Sequence, residues 1–153
     1  MPGQLSSISE TSPQLIARAS LRVDTRGTGF TDITGHVRDF LAQIRAGEGV
    51  FLAYLRHTSA SLCIQENADP DVQADLVSAL DRIAPEVAPW IHDVEGPDDM
   101  PAHVKSMLNG VSLHVPVERG ALALGTWQGI YLAEHRRRPH SREVLLQFIG
   151  SRR

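Results

Sequence analysis

Gly49 to Leu76 reads GVFLAYLRHTSASLCIQENADPDVQADL and carries three elements in a row. Its first seven residues are a continuous apolar run, which predicts a central strand covered on both faces. His57-Thr58-Ser59-Ala60 is a polar turn, and Ser61 to Gln65 returns as a second strand. Asp69-Pro70-Asp71 then opens a helix. Asp69 is its cap, Pro70 suits the first helical position, and Asp71 meets the positive end of the macrodipole. Val72, Leu76, Leu80 and Ile83 mark a stripe predicted to be buried, and Pro85 and Pro89 stop the helix. Two strands joined directly ahead of a helix do not fit the regular alternation of a parallel doubly wound sheet.

Upstream, Leu15 to Val23 alternates as a strand that ends at Gly27-Thr28-Gly29. Ile33, Val37, Leu41 and Ile44 then form one helical face, capped by Thr31 or Asp32 and ended by Gly47 or Gly49. Downstream, Pro101 to Asn109 predicts a short helix with Val104 and Leu108 facing inward and Gly110 at its end. Val111 to Val117, Ala121 to Thr126, Gly129 to Glu134 and Glu143 to Ile149 read as strands. Glu118-Arg119-Gly120 is a hairpin turn between the first two. The order predicts an α+β domain: a mainly antiparallel sheet with helices packed to one side. Residues 1–12 read as a flexible tail and 13–153 as a single domain.

The chain has 153 residues and a net charge of −3, so its charge balance gives no support for a nucleic-acid or membrane-surface role. The basic run Arg136-Arg137-Arg138, flanked by His135 and His140, reads as a solvated loop. His114 alternates with core positions and should face solvent or an interface. Cys63 is the only cysteine, so no internal disulfide is possible. Its place in an apolar alternation makes it a small buried hydrophobe, compatible with a reducing cytoplasm. No apolar run approaches the ~20 residues that cross a bilayer, and the polar N-terminus does not read as a secretory signal.

Three polar segments stand out. Trp90 to Ser106, WIHDVEGPDDMPAHVKS, holds His92, His103, Lys105 and four carboxylates, and its Gly-Pro step breaks regular structure. His57 to Ala60 and Gly125-Thr126-Trp127-Gln128-Gly129 are the other two. His57, His92 and His103 each fall at an element end, beside carboxylates or hydroxyls. Three imidazoles with an open fourth position suit a catalytic divalent ion such as zinc. Asp93, Glu66 and Glu134 are the outer acceptors that would orient the rings. The bland alternative is that each histidine only hydrogen-bonds a neighbouring carboxylate. Thr58, Ser59, Lys105, Thr126 and Arg142 are donors suited to a small phosphorylated molecule, although such residues also serve turns and strand surfaces. Clustered carboxylates would suit magnesium instead. Trp127 either stacks a planar ring or caps the core.

Read together, HTSASLCIQENADPDVQADL (57–76), HDVEGPDDMPAHVKSMLNG (92–110) and GTWQGIYLAEHR (125–136) resemble the YjbQ family, small proteins known as secondary thiamine-phosphate synthases. The resemblance implies a two-layer α+β fold and a homotrimer. It also implies a weak ability to join a hydroxymethylpyrimidine diphosphate to a thiazole phosphate. His57, Glu66, Asn67, Asp69, His92, Asp93, His103, Lys105, Thr126, Trp127, Gln128 and Glu134 match the family's motifs. The roles follow from their chemistry: His57, His92 and His103 are the expected metal ligands, Glu66, Asp69, Asp93 and Lys105 the catalytic groups, and Thr58, Ser59, Asn67, Thr126, Trp127, Gln128 and Arg142 the substrate-binding ones. A metal-dependent hydrolase of unknown substrate and a non-catalytic ligand-binding module are the competing readings.

Overall fold

Two antiparallel sheets share one apolar core. The computed structural model describes residues 2–153, and residues 2–14 carry no helix or strand. The elements run β1 (Leu15–Asp24), β2 (Gly29–Asp32), α1 (Thr34–Gln43), β3 (Ala46–Leu55), β4 (Ala60–Glu66), α2 (Pro70–Ile83), α3 (Asp99–Asn109), β5 (Ser112–Glu118), β6 (Ala121–Leu122), β7 (Gln128–Glu134) and β8 (Ser141–Arg152). The larger sheet has the order β1-β8-β3-β5-β6 and the smaller the order β2-β7-β4. Every pairing is antiparallel. The α+β class therefore stands, with its strands divided between two sheets. Phe51 and Phe148 are paired across β3 and β8 and fully buried, and they pack with Ile33, Val37 and Leu41 of the first helical region and Leu62, Ile130 and Leu132 of the small sheet.

The elements with strong local signals fall where expected. Asp69 accepts from the Asp71 N–H at 2.9 Å and Pro70 takes the first position of α2. Arg119 and Gly120 both have positive φ and close the β5–β6 hairpin, as a two-residue turn of that hand requires.

Four expectations change. The strand β2, only four residues long, was hidden inside what reads as a turn and a helix cap; it pairs with β7 from Gly29↔Glu134 to Asp32↔Tyr131. The helix α1 stops at Gln43, with Arg45 in the left-handed region instead of a glycine. Gly49 is needed elsewhere, because it lies opposite Gly150 where β3 meets β8. A Cβ on Gly150 would collide with the Glu48 carbonyl oxygen. The third change concerns β3, which is covered on one face only. Phe51, Ala53 and Leu55 are buried, whereas Leu52 is half-buried and Tyr54 is exposed, level with Leu145 on β8. The strand Ala121–Thr126 shrinks to the two residues of β6.

Both later helices bury less apolar surface than their periodicity suggests. No residue of α2 is fully buried, and Ile83 is exposed. In α3, Val104 is half-buried and Leu108 exposed, while Asp99, Ala102, Lys105 and Ser106 face inward. The polar residues win because each finds a partner. Ser106 donates to the Ala60 carbonyl at 2.7 Å and Lys105 to Asp81 at 2.6 Å, so their burial leaves nothing unsatisfied. This helix, laid against β4, brings the second polar segment to the first.

Candidate functional site

Strand β3 ends at Leu55 and delivers His57 and Thr58 to a turn; β4 then leads away. His103, in the second turn of α3, donates Nδ1–H to the Thr58 carbonyl at 2.9 Å. Its Nε2 lies 3.2 Å from Oδ2 of Asp99, one helical turn earlier. The same carboxylate oxygen is 2.7 Å from Nε2 of His92, which arrives from the loop between α2 and α3. The two rings stand edge to face with centroids 5.6 Å apart. One ligand atom from each of His92, Asp99 and His103 lies within 4.8 Å of the others.

This trio is held from beneath by Arg136. Its Nη1 donates to Asp99 Oδ1 at 2.7 Å, its Nε to Asp98 Oδ2 at 3.1 Å and its Nη2 to the Glu95 carbonyl at 2.9 Å. The guanidinium thus fixes the whole 95–99 turn from the end of β7. Burial alone would raise the Asp99 carboxyl. The hydrogen bond from His92 and the charges of Arg136 and His103 outweigh it and hold the group below its ordinary value. Asp98 is lowered in the same way: burial opposes, while the Arg137 N–H and Arg136 prevail.

A second buried pair stands behind His57. Arg142 donates Nε and Nη2 to Glu134 at 2.7 and 2.5 Å, and Nη2 also reaches Ser59 Oγ at 3.0 Å. Glu134 further accepts from Thr25 Oγ1 at 2.8 Å and from the Arg136 N–H at 3.0 Å. It therefore orients no histidine ring. His57 accepts the Glu143 N–H on Nε2 at 2.8 Å. Burial and then the charge of Arg142 keep its imidazole below the ordinary histidine value. His57, Thr58, His103, Ser106, Met107 and Val111 line a cavity of about 670 Å³, the size of a small-molecule pocket.

Several expected site residues lie elsewhere. His57 is a neighbour of the cluster and not one of its three ligand groups; Asp99 takes that place, and Asp93 stands exposed beside it. Lys105 points to the opposite side of α3, where it is buried against Asp81. Glu66 accepts from the Ala68 and Asp69 N–H groups at 3.1 and 2.7 Å, and Asp69 caps α2, so both carboxylates serve a turn. Asn67 donates to the Thr126 and Gln128 carbonyls, each at 3.3 Å, and Gln128 Oε1 accepts from Gly125 N–H at 2.8 Å. Trp127 there is 64% exposed and caps no core. That group sits at the far end of the small sheet. The pairs Ala60↔Glu134 and Glu66↔Gln128 are six residues apart on β4, or about 20 Å. Two of the three polar segments converge within the chain and the third does not.

Arg136 is the residue that sequence reasoning misplaced: in a run of three arginines it looks solvated, yet it is 8% exposed. His135, assigned to the same loop, is buried at 2.8 Å from Ser61 Oγ. Asp99 had a legible signal, since Asp99 and His103 are four apart on one helix.

Two imidazoles and a carboxylate converging beside a cavity that His103 lines can hold a divalent ion or move protons. The comparisons with known proteins concern the same segments. The sequence model of the YjbQ family, described as UPF0047 protein YjbQ-like, matches residues 19–151. A UPF0047 protein of Synechocystis sp. is 44% identical over 131 residues, 85% of this chain and 89% of that protein. UPF0047 protein YjbQ of Salmonella typhimurium is 42% identical over 132 residues, 86% of this chain and 96% of that protein. Among solved structures, a hypothetical protein from Aeropyrum pernix superposes with a TM-score of 0.81 at 31% identity, covering 88% of this chain and 99% of that one. A conserved hypothetical protein from Thermus thermophilus gives 0.75 at 38% identity, covering 84% and 97%. With sequence and fold in agreement over nearly the whole domain, the chain belongs to the YjbQ-like UPF0047 family.

Proposed function

We propose that the chain is a small-molecule enzyme whose working centre is a divalent ion, zinc or a similar borderline metal, held by His92, Asp99 and His103. The observation that carries this is the convergence of one ligand atom each from His92, Asp99 and His103, all within 4.8 Å of one another. Nδ1 of His103 donates to a backbone carbonyl, which leaves Nε2, 3.2 Å from the Asp99 carboxylate, as the nitrogen that would meet an ion. In the metal-free protein a proton on Nε2 bridges the pair, and a divalent cation would take its place. A backbone carbonyl on the far nitrogen is the usual outer partner of a metal-bound histidine. Once bound, such an ion supplies an activated water at neutral pH, which favours hydrolytic chemistry. Arg136 holds the Asp99 carboxylate in place, and the Thr58 carbonyl fixes the His103 ring.

The test is elemental analysis of protein purified without chelators. About one ion per chain is expected, with loss in the His92→Ala/His103→Ala double variant. Equal metal content in the wild type and that variant, before and after reconstitution with zinc, sinks the proposal.

A second reading is thiamine-phosphate synthesis from a pyrimidine diphosphate and a thiazole phosphate. The exposed indole of Trp127, suited to stacking a planar heterocycle, favours it. Within one chain that indole lies about 20 Å along the small sheet from the cluster, so a site using both would draw on two chains. The homotrimer that the motifs imply is supported by the uncovered apolar residues of the large sheet, Ile16, Tyr54 and Leu145 among them. A cytoplasmic setting suits the lone Cys63 thiol, which burial pushes up to about 11 and so keeps protonated. No helix among the described residues is long and apolar enough to cross a membrane. Synthesis that persists in chelator-treated protein would favour this second reading over the first.

A further inference from the structure

Lys105 and His103 are two residues apart on α3, so their side chains leave opposite sides of the helix. On the Lys105 side a cleft of about 460 Å³ opens between α2, the loop after it and α3. Lys105 and His135, 5% and 4% exposed, line it, and Val77, Pro85, Val87 and Pro101 give it apolar walls. The same two buried residues share a recess of about 10 Å³, room for one water-sized group. Ser61 is fully buried and has two polar neighbours, Asn109 Nδ2 at 3.0 Å and His135 Nε2 at 2.8 Å. The amide donates, so the hydroxyl proton goes to Nε2. Burial and then the charge of nearby Lys105 hold the imidazole down to about 4, so the ring is neutral and its own proton sits on Nδ1. Among the described residues no group meets Nδ1, and no side-chain nitrogen sealed from solvent lacks a partner. Nδ1–H therefore opens into the cleft.

We infer that this cleft is a second binding site, for a small zwitterion such as an α-amino acid with an apolar side chain. Lys105 Nζ donates to Asp81 Oδ1 at 2.6 Å, and the partners are unequal: the lysine side chain is 7% exposed and the aspartate 60%. Asp81 can turn into water, whereas the buried ammonium must keep a counter-charge. The carboxylate of the amino acid takes the place of Asp81 on Lys105 and accepts Nδ1–H of His135. Its ammonium goes to the Asp81 carboxylate so released, and its side chain lies against the apolar walls. One carboxylate replaces another on the lysine, so the buried charge stays paired throughout. Glu86 and Asp98, the other acids in the lining, are already held by Arg137 and Arg136. A plain carboxylate makes only the first contact and an amino-acid ester only the second. The site shares no residue with the proposed metal centre and does not depend on it.

Titration of the chelator-treated full chain with L-leucine, 4-methylpentanoate and L-leucine methyl ester tests this, by calorimetry and by two-bond ¹H–¹⁵N spectra of the imidazoles. His135 should be the Nδ1-protonated form, and leucine should bind saturably and shift its signals. The acid and the ester should each bind about tenfold more weakly, the scale of one charge-assisted hydrogen bond. Asp81→Asn should reverse the order of leucine and 4-methylpentanoate, because the first loses the partner of its ammonium and the second meets an unopposed Lys105. Lys105→Met should abolish binding of both. Should that buried substitution fail to fold, the exposed Asp81 position still decides the matter. Absence of saturable leucine binding overturns the inference, and so does an Nε2-protonated His135. Equal affinity for the three molecules overturns it too, as does the wild-type order retained in Asp81→Asn. Leucine shifts at His92 and His103 without a shift at His135 would place the amino acid at the other cavity and overturn it as well.

Discussion

Nε2 of His103 lies 3.2 Å from Oδ2 of Asp99, one turn apart on the same helix, while Arg136 holds the other oxygen of that carboxylate. The carboxylate is therefore shared between the site and the scaffold, and its replacement should be felt in both.

Asp99→Asn should abolish zinc uptake and also destabilise the fold. The change removes one of the two carboxylates that pair with Arg136 and leaves Asp98 as the other; breaking a buried pair outright costs about 3–5 kcal/mol, which is the upper bound here. Denaturant unfolding and metal titration on the same sample measure the two effects. Normal stability with lost metal would show that Arg136 is satisfied without Asp99.

The Glu134–Arg142 pair predicts an acid limit. Burial alone would raise Glu134, but hydrogen bonds from Arg142, the Arg136 N–H and Thr25 outweigh it and lower the carboxyl. A lowered group stabilises the fold above the ordinary carboxylate value of about 4.3. That contribution is lost as pH falls through the folded value. Glu134→Gln should flatten this acid loss and lower stability at neutral pH by about 3–5 kcal/mol. Stability curves from pH 7 downward for both proteins check it.

His135 predicts a second, earlier slope. Burial and then the charge of Lys105 push its imidazole down to about 4. The unfolded chain takes up this proton near pH 6.5 while the folded chain does not, so stability falls between about pH 6.5 and 4, by on the order of 3 kcal/mol. His135→Gln should remove the slope in that window. An unchanged slope would assign it to other groups.

Gly150→Ala should destabilise the large sheet. The added methyl meets the Glu48 carbonyl, Gly49 Cα and the Phe148 ring, and overpacking of this kind costs about 1–3 kcal/mol. Thermal unfolding should show a lower midpoint, while the proposed metal uptake at the histidine cluster should be unchanged.

Asp69→Ala removes the cap of α2 and should cost about 0.5–2 kcal/mol. The shift in the denaturant midpoint measures it. This is the effect most plainly written in the sequence. Asp69-Pro70-Asp71 specifies a helix start through contacts within three residues, so nothing remote can override it. Phe51 and Leu55 were likewise legible as core. The exposure of Tyr54 was not, because an apolar run does not say whether its second face is covered within the chain or by another. Arg136 shows the other limit. It meets Asp99 across 37 positions, and no local periodicity carries that pairing. The histidine–carboxylate site was half legible for the same reason. His92 and His103 were marked by their polar surroundings, whereas His57 lies outside the His92–Asp99–His103 group, its Nε2 accepting a backbone N–H.

The β4–β7 ladder works as a fixed spacer. A ligand touching both Trp127 and His103 of one chain would have to reach about 20 Å along those strands. A smaller substrate that used the indole together with the imidazoles would have to draw them from different copies. Such a composite centre would fade on dilution by mass action, while ion uptake by each isolated chain would not.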